Sequence, residues 1–312
     1  MSRTPAQVGL SRPTVSVIIP AYRASSYLAG AIRSALEQTV PPHEVIVVDD
    51  ASPDVEETAR AIEAWTKTGR VRLLRQERNR GPAAARNRAI AASSGSLLAF
   101  LDADDRFEKE RLEAAIEVFA NHPDTAMTCS DSFLCVEEVV QPGLKNDAWR
   151  PIDEVLSFER LLQQNCIYTL TVTLRRDVFD AFGPFDESPA LIAVEDYELW
   201  LRIARERVVR YIDRPLACYN LSPSSLSGNP RRMFDGVSAV LTKLERHYPD
   251  FRARYGGLAD RRRFDLRMDL AWVLLERGER AAARREAWCA VRERPSASRA
   301  WKLWAKTLVG RS

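Results

Sequence analysis

The sequence predicts an α/β fold, with a doubly wound, mostly parallel sheet followed by a C-terminal helical extension. Three observations indicate it. From position 14 to about 127, short runs of β-branched residues alternate with helical stretches of about a dozen residues. Several of these runs are apolar throughout, as in parallel strands that are buried on both faces. Beyond residue 231 the chain carries helical spacing almost without interruption.

Four strands and four helices are predicted in the first half of the chain. The strands are predicted at residues 15–20, 44–50, 70–75 and 96–102, and the helices at residues 27–38, 55–67, 83–92 and 109–121. Alternating strands and helices are typical of parallel sheets, whose ligands bind beside the carboxyl ends of the strands. We therefore expect residues 20–22, 49–52 and 102–105 to lie along one edge of the sheet.

The second half of the chain is less regular. Turn-forming residues between 142 and 147 predict a loop or hairpin. The next predicted elements are a strand at 168–174, a helix near Asp177, a turn at 183–188 and a helix at 195–206. The extension is predicted to contain helices at 265–277, 281–294 and 297–308, separated by Gly278 and Pro295.

Charge is distributed unevenly along the 312 residues. Residues 1–251 hold 30 basic and 36 acidic side chains, whereas residues 252–312 hold 16 basic and 7 acidic ones, a net charge of +9. A basic tail of this kind suits an anionic surface such as phospholipid. A solvated Arg-rich face, a cap on the sheet domain and contact with a second subunit in a homo-oligomer are the alternatives.

The five cysteines form neither a CxxC pair nor an evenly spaced framework, and their odd number argues against complete pairing. We expect all five to be reduced core residues, namely Cys129, Cys135, Cys166, Cys218 and Cys289. The N-terminus lacks the apolar stretch of a secretion signal, and no run approaches the roughly 20 apolar residues that span a bilayer. A cytoplasmic location is predicted, with or without peripheral contact at the inner face of the membrane.

A cluster of three carboxylates follows the fourth predicted strand. The segment FLDADD places Asp102, Asp104 and Asp105 within four residues. Like charges this close repel one another unless a cation or hydrogen-bond donors compensate them. Carboxylates together with substrate phosphates are typical ligands of a hard divalent cation. The cluster predicts a metal site. The alternative interpretation is an acidic turn or a helix N-terminus, which can have the same sequence pattern.

Two further segments belong to the same expected edge. VVDDAS ends a strand with Asp49 and Asp50, which can accept hydrogen bonds from a base or ribose, or cap the following helix. NRGPAAARNRA contains Arg80, Arg86 and Arg88. Because a guanidinium group matches the oxygens of a diphosphate, one of these three arginines is expected to contact a nucleotide.

Glu195 and Asp196 open the helix that is predicted at 195–206. A carboxylate beside a sugar acceptor can act as a general base. Acidic residues are also favoured in the first turn of any helix, where they interact with its dipole. Spacing alone leaves both interpretations open.

Five motifs follow one another in the chain. They are VSVIIPAYRASSYLAGAIRSALEQT (15–39), VIVVDDASPD (45–54), NRGPAAARNRAI (79–90), FLDADD (100–105), and GPFDE with VEDYELWLR (183–187 and 194–202). Together they resemble the family 2 glycosyltransferases of the GT-A fold, over roughly residues 14–230. The resemblance implies a nucleotide-sugar-binding half at 14–129, an acceptor-binding half at 130–230, a basic helical extension at 231–312 and a flexible N-terminus at 1–13.

The resemblance also implies a role for each matching residue. Pro20, Ala21 and Tyr22 match positions that border the nucleotide base, and Asp50, or Asp49 beside it, matches the aspartate that pairs with the base. Arg86 is implied to contact the nucleotide, Asp104 to contact the ribose, and Asp102 and Ala103 to contribute to nucleotide-sugar binding. Asp105, together with Asp104 and Asp102, is implied to bind the metal. Asp196, beside Glu195, is implied to be the catalytic base.

The implied reaction is an inverting transfer of hexosyltransferase type. The donor would be a nucleoside-diphosphate sugar, with UDP favoured, and the acceptor a saccharide or lipid-linked saccharide in cell-surface polysaccharide or glycolipid synthesis. Mg²⁺ or Mn²⁺ would stabilise the charge that develops on the leaving diphosphate. No nucleic-acid partner is expected.

One segment departs from the family pattern. Many relatives carry Tyr-Arg-x-His-x-x-Ser-x-Ser after the acidic helix, and its Arg or His can help hold the diphosphate or the metal. Here YNLSPSSLS places Asn220 and Ser222 at those positions, and His43, His122 and His247 lie outside all the motifs. Weaker metal or diphosphate binding, and substitution by Arg231 and Arg232, are both open interpretations.

Other enzyme classes fit less well. Phosphotransferases with an aspartyl nucleophile need Thr or Val after DxDx, and this chain has Arg106 after Asp105. A nicotinamide dehydrogenase would carry GxGxxG after the first strand, where PAYRAS stands. A nucleotidyltransferase of similar architecture and a nucleotide-sugar-binding protein without activity remain alternatives.

Overall fold

The computed structural model describes residues 13–136, 139–221 and 228–309. In the first part the elements are β1 (Val15–Ala21), α1 (Leu28–Leu36), β2 (Glu44–Asp49), α2 (Val55–Lys67), β3 (Val71–Arg75), α3 (Pro82–Ala92), β4 (Leu97–Phe100), β5 (Arg106–Phe107) and α4 (Arg111–Asn121). The predicted strands and helices of this region are confirmed, with boundaries that differ by a few residues. Residues 1–12 of the flexible N-terminus expected at 1–13 lie outside the described residues.

The second part adds five strands and three helices to the domain and then the C-terminal helices. The elements are β6 (Thr125–Val136), β7 (Val139–Leu144), β8 (Val155–Leu156), α5 (Phe158–Gln163), β9 (Thr173–Arg175), α6 (Arg176–Phe182), α7 (Glu195–Glu206), β10 (Val208–Asn220), α8 (Pro230–His247), α9 (Phe251–Glu276), α10 (Arg280–Glu293) and α11 (Ser298–Leu308). The loop or hairpin expected at 142–147 coincides with the second half of β7 and the start of the 3₁₀ turn Asp147–Trp149. The predicted helix at 195–206 is α7.

Within the described residues, the strands form one sheet in the order β3-β2-β1-β4-β9-β6-β10-β5, with β7 beside β6 and β8 beside β10. β3, β2, β1 and β4 are parallel to one another. β9 is antiparallel to β4 and β6, and β10 is parallel to β6. The prediction of a mostly parallel α/β sheet is therefore confirmed.

Alternate residues of the central strands enter two different cores. Ile18 of β1 and Ile46 of β2 belong to the larger core, whereas Val17 and Val45 pack in the smaller core on the other face. Successive side chains of a strand point to opposite faces, so an apolar run such as VSVII is buried only where helices cover both faces. Because both faces are buried, these strands have continuous apolar runs, and the runs predict them from the sequence.

Two elements of the second half differ from prediction. The strand expected at 168–174 is a 3₁₀ turn, Thr169–Thr171, followed by the short strand β9. β10 was not predicted at all, because Asp213, Arg214 and Pro215 interrupt its apolar pattern. The structure accommodates these residues at register shifts between β10 and β6.

The C-terminal helices form a cap with two layers. α8 and α9 pack into the larger core through residues such as Leu241 and Phe251. α10 packs on α9, and α11 packs on both, in small clusters that contain Phe264, Ala287 and Leu303. Ala283 of α10 also belongs to the larger core. The helix expected from residue 265 is the second half of α9, which begins at Phe251. None of the helices in the described ranges is long and apolar enough to cross a membrane.

The prediction of five reduced core cysteines is wrong for three residues, of which two are paired and one is exposed. Cys135 of β6 and Cys218 of β10 form a disulfide, with their Cα atoms 5.9 Å apart. The two strands are neighbours in the sheet, which brings the two cysteines within reach of each other. Because the sequence pattern does not predict β10, it does not predict this pairing either. Cys129 and Cys166 are free and buried, and Cys289 is free and exposed.

Candidate active site

The carboxyl ends of β1, β2 and β4 lie side by side. Ala21 pairs with Asp49 in the register of β1 and β2, and Ile18 pairs with Phe100 in that of β1 and β4. The segments 20–22, 49–52 and 102–105 therefore share one edge of the sheet, as the alternating pattern predicts. Tyr22 is exposed at this edge, and Ala21 is buried.

Asp50 is held by the loop in front of α3. Its carboxylate accepts hydrogen bonds from Nε2 of Gln76 at 2.7 Å and from the backbone N–H groups of Arg80 and Gly81 at 2.9 and 2.7 Å. Burial raises the pKa of Asp50, against the effect of these bonds. Gly81 has a φ of +87°, which a glycine adopts without strain, and Pro82 then opens α3. Asp50 thus fixes the turn into α3.

One carboxylate oxygen of Asp49 has no hydrogen-bond partner among the described residues. Its Oδ2 accepts the backbone N–H of Ser52 at 3.2 Å and lies 3.6 Å from Nε of Arg75. Its Oδ1 is buried and has no hydrogen-bond partner among the described residues. Of the two aspartates at the end of β2, Asp49 is therefore the one with an unpartnered carboxylate oxygen, and its side chain is fully buried.

The three carboxylates after β4 have different surroundings. Asp105 is buried and accepts the backbone N–H of Asn220 at 2.8 Å. Burial raises its pKa well above the usual range, and the charges of Asp102 and Asp104 add to that. Asp104 is half-buried, and burial followed by the charge of Asp102 raises its pKa. The cluster is thus strained electrostatically, which is the condition that a bound cation relieves.

The acidic cluster is not a preformed metal site. In the parts of the chain that the structure describes, no group of three or more His, Cys, Asp or Glu side chains is arranged to hold a metal ion. The oxygens of Asp102, Asp104 and Asp105 are nevertheless the donor type that Mg²⁺ or Mn²⁺ takes, with remaining positions filled by water and substrate phosphates. The donor chemistry fits such an ion if the substrate completes its coordination.

Arg86 connects the acidic cluster to α7. Its guanidinium donates to Oδ1 of Asp102 at 2.7 Å and to Oε1 of Glu195 at 2.6 Å. Its side chain is only 5% exposed and lies 5.7 Å from the ring centre of Phe185. Burial alone would lower the pKa of Arg86, but Asp102 and Glu195 raise it. Arg86, expected to contact a nucleotide, has both terminal nitrogens engaged by carboxylates, and its nucleotide contact stays a prediction.

Asp196 is a half-buried carboxylate at the start of α7. Oγ1 of Thr169 donates to its Oδ2 at 2.6 Å, and the backbone N–H of Tyr197 donates to its Oδ1 at 2.6 Å. Burial and the adjacent Glu195 raise the pKa of Asp196 to about 6. Such a group is ionised at neutral pH and can still accept a proton, which is the property of a general base.

Sequence reasoning missed a group of residues beside the acidic cluster. Nζ of Lys145 lies 4.0 Å from the ring centre of Tyr219 and 5.0 Å from that of Tyr168. Burial lowers the pKa of Lys145, and the charge of Asp105 opposes this. Lys145 and Tyr168 stand outside every recognised motif, so only the fold brings them to this place.

The remaining predicted arginines lie away from the cluster or are engaged elsewhere. Arg80 forms an ion pair with Glu187, and Arg88 is exposed. Arg231, one of the two suggested substitutes for the missing basic residues, donates to Oε1 of Glu286 at 2.6 Å. Ser222 falls outside the described residues.

Comparison with known proteins decides the family. The model of the family described as "Glycosyl transferase family 2" matches residues 16–182, which is more than half of the chain. The chain belongs to glycosyl transferase family 2. A glycosyltransferase assigned to teichuronic acid biosynthesis in Bacillus subtilis is 30% identical over 237 residues, 75% of this chain and 90% of the relative. The Escherichia coli UDP-Glc:α-D-GlcNAc-diphosphoundecaprenol β-1,3-glucosyltransferase is 31% identical over 218 residues, 69% of this chain and 80% of the relative.

Solved structures agree on the fold of this family 2 chain. S. aureus TarS (residues 1–349) in complex with UDP-GlcNAc gives a TM-score of 0.62 at 16% identity, over 94% of this chain and 90% of that one. The mannosyltransferase PcManGT from Pyrobaculum calidifontis, in complex with GDP-Man and Mn²⁺, gives 0.61 at 19% identity, over 96% and 81%. The GT-A fold expected from the motifs is therefore confirmed, and the protein is a glycosyltransferase.

Proposed function

We propose that this family 2 glycosyltransferase transfers a sugar from a nucleoside-diphosphate sugar to an acceptor hydroxyl with inversion at the anomeric carbon. The observation that carries the proposal is the Asp196 carboxylate, held by Thr169 and raised in pKa to about 6. It lies beside Glu195, which Arg86 joins to Asp102. A proton acceptor is thereby linked to the carboxylates at the nucleotide edge.

The nucleotide would bind over the ends of β1 and β2. Pro20, Ala21 and Tyr22 border the base in this proposal, and Tyr22 presents an exposed ring to it. We assign the base contact to Asp49, because its Oδ1 is free whereas Asp50 already accepts three hydrogen bonds. UDP is favoured, since one relative is named for a UDP-Glc donor and one structural neighbour holds UDP-GlcNAc.

The diphosphate would lie beside the acidic cluster. Asp102, Asp104 and Asp105 are the residues that would hold Mg²⁺ or Mn²⁺, and such an ion supplies positive charge to the departing diphosphate. Oδ1 of Asp105 is occupied by the N–H of Asn220, so Asp105 would contribute its other oxygen. Asp104 remains the proposed ribose contact, and Ala103 a proposed contact of the nucleotide sugar.

The chemistry assigned to Asp196 is that of a base. Its carboxylate takes the proton of the acceptor hydroxyl as the hydroxyl oxygen forms its bond to the anomeric carbon. The bond from that carbon to the diphosphate oxygen breaks, and its electron pair leaves with the nucleoside diphosphate. Thr169 and the N–H of Tyr197 hold the carboxylate in one orientation, which keeps the reacting atoms close.

The acceptor would be a saccharide, free or lipid-linked, bound by the half of the domain formed by residues 130–230. The two relatives carry names from cell-wall polymer and diphosphoundecaprenol-linked saccharide synthesis, which supports a role in cell-surface polysaccharide or glycolipid synthesis. The shared family favours glycosyl transfer over nucleotidyl transfer.

We also propose peripheral membrane contact through α10 and α11. Trp288 and Trp301 are each 42% exposed, and both rings pack against Trp304. Arg285, Arg292 and Lys302 are exposed on the same two helices, and no carboxylate of the described residues pairs with them. Tryptophan beside unpaired cations suits the headgroup region of an anionic bilayer. Contact with a second subunit is the competing assignment.

Nucleotide binding tests the proposal. The wild-type protein should gain thermal stability from one of UDP, GDP, dTDP or ADP, and Mn²⁺ should increase the gain. Asp105→Ala should lose the Mn²⁺-dependent part of the gain, whereas Asp180→Ala, an exposed change on α6, should keep it. Failure of every nucleoside diphosphate to stabilise the wild-type protein would contradict the proposal.

A further inference from the structure

Lys145 occupies a prepared position at the end of the β6–β7 hairpin. Its backbone N–H donates to the carbonyl oxygen of Ser132 on β6 at 3.0 Å, which fixes the main chain. Its ammonium group lies against the rings of Tyr219 and Tyr168, whose centres are 5.9 Å apart. The side chain is half-buried and extends between two aromatic faces.

The ammonium group has no hydrogen-bond acceptor among the described residues. An aromatic face offsets part of the cost of removing a cation from water, but it accepts none of the three N–H bonds in the usual geometry. Elsewhere in the chain, Lys243 contacts Asp186 and Glu198 at 2.6 and 2.7 Å. Nζ of Lys145 makes no comparable contact within the described residues, and the carboxylate whose charge acts on it is Asp105. Its donors are therefore available to an anionic ligand.

The neighbours of Lys145 connect it to both halves of the proposed site. Tyr219 precedes Asn220, whose N–H is bonded to Asp105 in the acidic cluster. Tyr168 precedes Thr169, whose hydroxyl group is bonded to Asp196. A ligand group reached by Lys145 is thus near the acidic cluster and near the proposed base.

We propose that Lys145 binds the phosphate oxygens of the donor's diphosphate. A dianionic or trianionic group beside three carboxylates needs positive charge, and an ammonium that has no other acceptor supplies it. As the bond from the anomeric carbon to the diphosphate oxygen breaks, negative charge grows on the diphosphate, and Lys145 stabilises that charge. This inference rests on the proposed function, because it assigns a ligand within the same site.

Titration calorimetry with UDP, UMP and uridine tests the assignment. The proteins are the wild type, Lys145→Met, Lys145→Arg, and Lys67→Met as a control on α2, where Lys67 is paired with Glu63. Lys145→Met should weaken UDP binding roughly tenfold or more, the effect of losing a hydrogen bond to a charged group. Uridine affinity should stay unchanged, which also shows that Lys145→Met is folded, and Lys145→Arg should retain most of the UDP affinity.

Each outcome decides a different point. Equal UDP affinity in the wild type and Lys145→Met would overturn the role of Lys145 and leave the proposed function standing. A parallel titration with farnesyl diphosphate, a lipid diphosphate that stands in for a lipid-linked acceptor, separates the two substrates. If Lys145→Met lost affinity for farnesyl diphosphate but not for UDP, the assignment of Lys145 to the donor would be overturned. Absence of nucleoside-diphosphate binding by the wild type would contradict the proposed function, and the inference with it. Equal weakening of uridine and UDP would show a merely structural role and would also overturn the inference.

Discussion

At the scale of single residues, the carboxylates at the edge of the sheet are distinguished by what their oxygens contact. Asp50 accepts hydrogen bonds from three N–H donors, whereas Asp49 keeps one oxygen without a partner in the described chain. Asp105 is anchored to β10 through the N–H of Asn220. Asp196 is held by a hydroxyl group and a backbone N–H. Adjacent acidic residues with the same chemistry therefore have different surroundings, which is the basis for the separate tasks that we propose for them.

The pH dependence of transfer reports on Asp196. Since its pKa is raised to about 6, the carboxylate becomes protonated and loses its basic function as the pH falls through that value. We expect kcat/KM to decline below a pH of about 6. The hydroxyl group of Thr169 lowers this pKa, so Thr169→Val should raise it and move the decline upward by about one pH unit.

The pH profile of each variant supplies the control. Thr68→Val removes a hydroxyl group at the end of α2 and should leave the profile unchanged. If kcat/KM of Thr169→Val declined at the same pH as that of the wild type, or at a lower pH, the role of the hydroxyl group would be contradicted.

At the scale of elements, strands and helices can be predicted from the sequence where their burial determines the pattern of apolar residues. β1, β2 and β4 are buried on both faces, and α7 begins with acidic residues and continues with helical spacing, so these elements were predicted. β10 has Pro215 and charged residues in its middle, and its pairing depends on contacts with β6 that are distant in sequence. Local patterns carry no information about such contacts.

The same limit applies to the site. The aspartates and Arg86 lie in motifs that recur in the family, whereas Lys145 and Thr169 have no local signature. Lys145 becomes visible only when the β6–β7 hairpin and β10 are adjacent in space. The pairing of Cys135 with Cys218 was missed for the same reason.

Packing of α8 against the start of α7 gives a prediction at this scale. A Cβ atom on Gly236 would lie 2.8 Å from Cγ2 of Val194, the residue before Glu195. Gly236→Ala should therefore displace the first turn of α7, lower the free energy of unfolding by about 1–3 kcal/mol and reduce transfer more than nucleotide binding. Denaturant unfolding and steady-state rates measure both effects.

Gly257 of α9 is the matched control. A Cβ atom there would meet no heavy atom within 4 Å, and the position is exposed. Gly257→Ala should raise the free energy of unfolding by up to about 1 kcal/mol, since alanine is the better helix former, and leave transfer unchanged. Similar behaviour of the two variants would argue against a specific contact between α8 and α7.

At the scale of the whole molecule, charge and packing separate a catalytic body from an outer pair of helices. Arg86 of α3 joins Asp102 after β4 to Glu195 of α7, so the nucleotide edge and the helix of the proposed base form one buried ion-pair network. α8 and α9 share the main core, whereas α10 and α11 form smaller clusters with α9, and α10 contributes only Ala283 to the main core as a buried residue. The outer helices can therefore contact another surface without disturbing the catalytic centre.

Vesicle binding tests the outer helices. The full chain should co-sediment with vesicles that contain phosphatidylglycerol and should not do so with pure phosphatidylcholine. The double variant Arg285→Glu and Arg292→Glu should lose this binding, whereas Arg60→Glu, on exposed α2 of the body, should keep it. Unchanged binding of the double variant would contradict membrane contact, and dimerisation that the same variant abolishes would favour a second subunit.

The most direct test of the central claim separates donor binding from transfer in Asp196→Asn. With the nucleotide sugar and Mn²⁺ or Mg²⁺ that support turnover of the wild type, we expect the variant to bind the donor with nearly wild-type affinity. Its transfer to the acceptor should fall by about 10²-fold or more, the usual effect of losing a general base. Asp180→Asn on α6 should match the wild type in both measurements. Transfer by Asp196→Asn at the wild-type rate would contradict the assignment of Asp196 as the base.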